Sequence, residues 1–165
     1  IFRPFSNRKY NKEPIFLYVG RIAVEKNIED FLKIKLEGRK LVVGAGPLLS
    51  KLETAYPEVI FLGEKNKNEL TEIYNQADVF VFPSRTDTFG LVLLEAMACG
   101  VPVAAFPAAA PVDVIGSSKA GVLSENLTHA AQEALKIPRK VARAHAESYS
   151  WEEATRIFLN HQAEI

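Results

Sequence analysis

Short apolar runs recur along the chain, each closed by glycine or proline: Ile15 to Val19 before Gly20, Lys40 to Val43 before Gly44-Ala45-Gly46-Pro47, Val59 to Leu62 before Gly63, and Val79 to Phe82 before Pro83-Ser84. Val101 to Phe106 is broken only by Pro102, and Ala120 to Leu123 is a weaker sixth run. Runs this short, bounded by turn residues, read as buried strands. Helical patterns fill the intervals. Residues 28–36 follow Asn27, an expected N-cap, and residues 47–55 follow the glycine loop. In residues 67–77, Leu70, Ile73, Tyr74 and Ala77 mark one helix face. Residues 90–99 are apolar almost all round, which predicts a buried helix. Buried strands alternating with helices predict an α/β fold: a doubly wound parallel sheet of about six strands, covered on both faces.

Beyond Asn126 the pattern is helical, with one helix over 127–136 and another that Pro138 can open, because a first-turn proline loses no intrahelical bond. Ser150-Trp151-Glu152-Glu153 reads as an N-cap followed by an acidic first turn. The 165 residues suffice for one domain with a sizeable core. Lysine plus arginine equal aspartate plus glutamate at 20 each, which argues against a general nucleic-acid surface but not against a local anion site. The single cysteine, Cys99, excludes a disulfide within the chain and reads as a buried structural thiol in a reducing compartment. His129, His145 and His161 fall on predicted tail helices and are expected at the surface, and no metal-ligand spacing stands out. No stretch approaches the ~20 apolar residues of a membrane span. The chain opens with Ile-Phe-Arg-Pro-Phe and no methionine, so it reads as a fragment. A cytoplasmic location is expected, with membrane association through a missing part left open.

Ligands of open parallel sheets bind beyond the carboxyl ends of the strands. Four loops there carry chemistry. In Gly20-Arg21-Ile22-Ala23-Val24-Glu25-Lys26-Asn27, a glycine turn presents the Arg21 fork and the Lys26 point charge, enough to hold a diphosphate. The alternative is a solvated loop in which Arg21 or Lys26 pairs with Glu25. Gly44-Ala45-Gly46-Pro47 lacks the third glycine of a dinucleotide fingerprint and reads better as a structural tight turn. Gly63-Glu64-Lys65 is either an ordinary turn or a loop offering backbone groups to a base edge. In Ser84-Arg85-Thr86-Asp87-Thr88-Phe89-Gly90-Leu91, a polar loop leads into an apolar helix whose first N–H groups form an anion site. Glu95 lies about one and a half turns inside that helix. A carboxylate there needs hydrogen bonds, from sugar hydroxyls or from a nearby arginine, lysine or backbone N–H.

Taken in order, Gly-Arg-Ile-x-x-Glu-Lys-Asn, Val-Gly-x-Gly-Pro, Tyr74 to Ser84, and Asp-Thr-Phe-Gly-Leu-Val-Leu-Leu-Glu-Ala-Met-Ala-Cys-Gly-Val-Pro-Val resemble the C-terminal domain of glycosyltransferase family 4, the glycosyl transferases group 1. The resemblance covers residues 15–125. It implies one half of a GT-B fold, a Rossmann-like donor-binding domain over residues 15–149. Residues 1–14 would end an interdomain linker, residues 150–165 would form a closing helix, and the N-terminal acceptor domain would be absent from this chain.

The resemblance also implies roles. Arg21 and Lys26 would bind the donor diphosphate and stabilise it as it leaves, with Gly20 admitting the phosphate. Glu95 would hold the ribose hydroxyls. Phe89, Gly90 and Leu91 would offer backbone N–H groups to phosphates or sugar, and Lys65 would lie with its loop against the base. The reaction would be hexosyl transfer with retention from a nucleotide-diphosphate sugar, without metal or cofactor. The acceptor would be a lipid, a polysaccharide or a small molecule. The family's acidic pair is usually two glutamates eight residues apart; here the first is Asp87, one methylene shorter and still expected to face the sugar. A glycine-rich turn after the fifth strand is replaced by Pro107-Ala108-Ala109-Ala110-Pro111, a loop expected to take another path. Rival readings are a nucleotide-sugar epimerase or a phosphorylase of the same architecture, although no pyridoxal phosphate lysine stands out. A non-catalytic nucleotide-binding module is a third.

Overall fold

A computed structural model describes residues 2–6, 8, 11–87 and 90–149. The expected closing helix at Trp151, His161 and the backbone donor Phe89 lie outside these residues. The strands are β1 (Ile15–Val19), β2 (Arg39–Val43), β3 (Ile60–Phe61), β4 (Val79–Phe82), β5 (Val103–Ala105) and β6 (Gly121–Leu123). They form one six-stranded sheet in the order β3-β2-β1-β4-β5-β6, and every pairing is parallel. This is the predicted doubly wound, Rossmann-like α/β sheet.

The helices are α1 (Ile28–Leu32), α2 (Leu49–Ala55), α3 (Lys67–Gln76), α4 (Leu91–Ala98), α5 (Ala109–Ile115), α6 (Leu127–Ala134) and α7 (Arg139–Ser148). Alternation along each strand splits the core in two. Leu17, Leu41, Phe80 and Val103 face a layer built from α3, α4, α5 and α7, through Tyr74, Leu93, Met97, Val114 and Ala142. Phe16, Val42, Val81 and Ala104 face α1, α2 and α6, through Phe31, Leu52 and Ala131. Cys99 is buried in the first layer, as expected, and burial pushes its thiol up to about 11.

Several local expectations are corrected. Asn27 does not cap α1 with its side chain. It sits at φ 53°, closing the preceding 3-10 turn, and its amide donates to Asp30 at 2.7 Å instead. The helix ends at Leu32, where Lys40 caps the carbonyl through its ammonium. Residues 107–111 are not all loop: α5 starts at Ala109 with Pro111 in its first turn, where the missing N–H costs no intrahelical bond. Leu91, at the start of α4, is 63% exposed, so burial applies to the later turns, at Leu93, Ala96 and Met97. His145 is half-buried and its ring bonds the Val114 carbonyl at 2.7 Å, docking α7 on α5, whereas His129 is exposed as expected.

The amino edge of the sheet is clasped by charge. Asp78, just before β4, accepts from the Ile15 N–H at 2.9 Å, from Asn11 at 2.7 Å and from the Arg8 guanidinium. Arg139, opening α7, donates to the Ala77 carbonyl at 2.6 Å and the Cys99 carbonyl at 2.8 Å, satisfying acceptors left at the ends of α3 and α4.

Candidate functional site

Strand order reverses between β1 and β4, so the connections that follow them run in opposite directions and leave a crevice. A cleft of about 440 Å³ lies there, lined by Tyr18, Gly20, Arg21 and Lys26 from the β1 side and by Ser84, Asp87, Gly90 and Leu91 from the β4 side.

The β1 side is held by its neighbours. The ladder continues past the strand ends: Gly20 N–H donates to Val43 at 3.0 Å, Ile22 N–H to Ala45 at 2.9 Å, Leu48 N–H to Ile22 at 3.1 Å, and Gly44 N–H to Gly63 at 2.9 Å. The three glycine-bearing loops after β1, β2 and β3 therefore lie side by side. Their approach leaves no room for side chains in the middle loop: a Cβ on Gly44 would fall 2.0 Å from the Gly20 oxygen, and one on Gly46 would fall 2.2 Å from the Ile22 oxygen. Gly44-Ala45-Gly46-Pro47 is thus the structural turn expected, and it supports the Arg21 loop.

Lys26 forms an ion pair with Asp87 across the cleft, with the two side chains 26% and 23% exposed. Arg21 lies 3.4 Å from Glu25, and both are largely exposed. The Glu25 pairing weighed for this loop therefore holds for Arg21, and Lys26 reaches the other wall instead. The Thr86 hydroxyl donates to the Glu25 carbonyl at 3.1 Å, a second tie between the walls. At the head of α4, Gly90 occupies the left-handed region at φ 65°, and among the described residues no side chain caps the helix. Arg85 turns away from the cleft, stacking over Phe106 at 3.8 Å and pairing with Glu125 at 2.7 Å.

Glu95 is not among the cleft-lining residues. It is half-buried on the α3 side of α4 and accepts a 3.2 Å hydrogen bond from the Tyr74 hydroxyl, a partner sequence reading did not consider. Burial raises its carboxyl above the usual range, against the lowering effects of the Tyr74 bond and the Lys67 charge. Lys65 stands 3.7 Å from Glu69 at the entry to α3, where Asn66 and Glu69 form a reciprocal capping box. Gly20, Arg21, Lys26, Asp87, Gly90 and Leu91 are therefore brought together, while Glu95 and Lys65 lie on a neighbouring flank. Two polar residues of the lining were missed. Tyr18 is buried and donates from its hydroxyl to the Arg21 carbonyl at 2.7 Å; burial, then the charges of Asp87 and Glu25, push its phenol well above the usual range. Ser84 is buried at the end of β4. The available signal was polarity: a hydroxyl in an otherwise apolar strand end.

Among the described residues, no group of three His, Cys, Asp or Glu side chains could hold a metal ion. No described helix is long and apolar enough to cross a membrane.

Among curated proteins, the sulfoquinovosyl transferase of Arabidopsis thaliana is 37% identical over 92% of this chain and 33% of its own length. A GDP-mannose-dependent alpha-mannosyltransferase of Mycobacterium tuberculosis is 37% identical over 67% of this chain and 30% of its own length. The chain thus spans about a third of these relatives. Among solved structures, the sucrose-phosphate synthase of Thermosynechococcus elongatus superposes with a TM-score of 0.80 at 26% identity, covering 99% of this chain and 50% of that one. The pneumococcal O-GlcNAc transferase, solved with UDP and GlcNAc, shares the fold at 20% identity and a TM-score of 0.73, over 99% of this chain and 38% of that one. The model of the glycosyl transferases group 1 matches residues 2–138, and the chain belongs to that family.

Proposed function

We propose that the chain is the C-terminal, donor-binding domain of a retaining family 4 glycosyltransferase of the GT-B architecture. It would bind a nucleotide-diphosphate sugar, and the hexosyl group would pass to an acceptor held by an N-terminal domain. Residues 15–149 would be the donor unit and residues 1–14 the end of a linker. The observation that carries this reading is the switch-point cleft, in which Arg21, Lys26, Asp87 and the head of α4 at Gly90 and Leu91 meet.

The chemistry fits that arrangement. Transfer breaks the bond between the anomeric carbon and a phosphate oxygen, leaving negative charge on the diphosphate and positive character on the sugar. Arg21, Lys26 and the N–H groups at Gly90 and Leu91 are suited to the leaving charge. Asp87 is placed to orient sugar hydroxyls, which lowers the barrier by fixing the reacting geometry. Glu95, set back on α4, suits the ribose, and the Gly63–Lys65 loop suits the base. No metal or cofactor is assigned a role. The names of the curated relatives, which use GDP-mannose or transfer sulfoquinovose, support a nucleotide-sugar donor without fixing which.

The test is calorimetric titration of the chain with UDP, GDP and ADP, their glucose or mannose conjugates, and the matching nucleosides. One diphosphate should bind selectively, and Arg21→Ala or Lys26→Ala should weaken it at least about tenfold while sparing the nucleoside, since a charge-assisted bond contributes roughly 1.5–3 kcal/mol. The chain alone should bind donor without turning it over. Equal losses for nucleoside and diphosphate, or enzyme-like transfer by the isolated chain, would overturn the reading.

A further inference from the structure

Lys26 and Asp87 are 61 residues apart and come from opposite walls of the cleft, the first from the turn after β1 and the second from the loop after β4. Their ion pair is about three-quarters shielded from solvent. The Arg21–Glu25 pair differs in each respect: it is local to one turn, longer at 3.4 Å, and mostly hydrated. Arg21 therefore keeps an accessible charge, whereas the charge of Lys26 is already answered by a carboxylate. The Thr86–Glu25 bond holds the two walls together one residue before Asp87. The carboxylate is thus kept within reach of Lys26 by the backbone as well as by charge.

A shielded ammonium without a counter-charge is costly, and a carboxylate close to an arriving diphosphate repels it. We propose that Asp87 is a built-in stand-in for the donor phosphate: it occupies Lys26 until a donor arrives and yields it to the diphosphate. The freed carboxylate is then available to the donor sugar. The proposal rests on the donor-binding reading above. It makes engagement of the phosphates and engagement of the sugar mutually dependent. It also separates substrate from product. With the sugar present, Asp87 exchanges one partner for another; with a bare nucleoside diphosphate it loses Lys26 and gains nothing. Asp87 thereby weakens the product more than the donor and favours product release.

The test is a double-mutant cycle read by calorimetry, using UDP and GDP, each with and without its sugar. Asp87→Asn keeps the shape of the side chain and removes its charge. It should tighten the bare diphosphate about fivefold or more, the range of a single partly shielded charge contact. It should not tighten the sugar conjugate, so the preference for conjugate over diphosphate falls by at least about the same factor. In a Lys26→Gln background the same substitution should tighten the diphosphate clearly less than in the parent, because only the direct repulsion of the carboxylate is relieved and no cation remains to be released. Asp87→Ser serves as the second variant should Asp87→Asn melt below the working temperature. Weaker diphosphate binding in Asp87→Asn, or equal tightening with and without Lys26, overturns the stand-in role. A wild-type chain that binds no diphosphate overturns this proposal together with the donor-site reading. Diphosphate binding that is lost in Lys26→Ala but indifferent to Asp87→Asn leaves the donor site standing and overturns the stand-in role alone.

Discussion

The Tyr18 hydroxyl donates to the Arg21 carbonyl at 2.7 Å, joining a core side chain to the turn that presents the cleft's accessible cation. The ring is buried and stacked on Phe31, with centroids 6.1 Å apart, so the hydroxyl is a fixed point. Tyr18→Phe should preserve the packing and release the carbonyl. Losing one hydrogen bond should lower unfolding stability by about 1 kcal/mol. Diphosphate affinity should fall about three- to fivefold as the Arg21 turn loosens, with nucleoside affinity unchanged. Urea denaturation and calorimetry on the same variant check both parts. A stability loss with unaltered diphosphate affinity would make the bond purely structural.

Gly44 is the tightest point between the loops. Gly44→Ala combines a Cβ 2.0 Å from the Gly20 oxygen with a φ of +135°, and the β1 and β2 loops must separate to accept it. The expected cost is about 3 kcal/mol or more. Gly63→Ala is the comparison: its φ is +68° but the space is open, so strain alone applies, about 1–2 kcal/mol. Chemical denaturation of both should rank Gly44→Ala as the more damaging. The opposite ranking would show that the loops can part cheaply.

Glu95 should make stability depend on pH. Burial raises its carboxyl in the folded chain, so between its unfolded and folded pKa values the native state binds more protons. Stability contributed by the protonated form is therefore lost as pH rises through that window. Glu95→Gln removes the ionisation and keeps an oxygen for the Tyr74 hydroxyl. The variant should gain stability relative to the parent as pH rises from the ordinary glutamate range toward neutrality, then hold a constant difference. Denaturant midpoints at a series of pH values read this directly. A difference that shrinks with rising pH would contradict the assignment. Under the ribose role proposed for Glu95, the same variant should weaken nucleotide and conjugate alike in ligand titrations, since both carry ribose.

Cys99 gives a probe of opening. Its thiol is fully buried and pushed up to about 11 by burial, so at neutral pH it is neither exposed nor ionised. Labelling by a disulfide reagent should proceed at the rate at which the native structure opens, and denaturant should accelerate it in step with unfolding. Immediate stoichiometric labelling of the folded chain would show that α4 and its neighbours are not packed as described.

The strands were largely readable in the sequence because each is a short apolar run stopped by a turn residue; β4 was read as Val79 to Phe82, as found. The opening of α5 was not, because Pro107 and Pro111 look like loop punctuation until Pro111 is placed in a first turn; Ala110 and Val114, four apart and both buried, carried the helical signal. In the site, Arg21, Lys26 and Asp87 were legible as strand-end residues. Their pairing was not. Neighbourhood in sequence favours Glu25 for either cation, and only the crossover from β3 to β4 brings Asp87 to Lys26. The Tyr74 partner of Glu95 was hidden for the same reason, since it depends on how α3 lies beside α4.

The clasp around Asp78 has a consequence for how such a domain can change over time. The clasp, with Arg139 beside it, gathers its charged contacts at the amino pole of the sheet, where nothing proposed here binds. The loops of the proposed donor site sit at the opposite pole, on the same strands but with separate contacts. Part of the folding stability is thus held away from the recognition loops. On the proposed donor site, a replacement in the Lys65 or Asp87 loop would alter what is recognised while the amino pole keeps the chassis closed, so a lineage could trade one donor for another without first surrendering a folded ancestor.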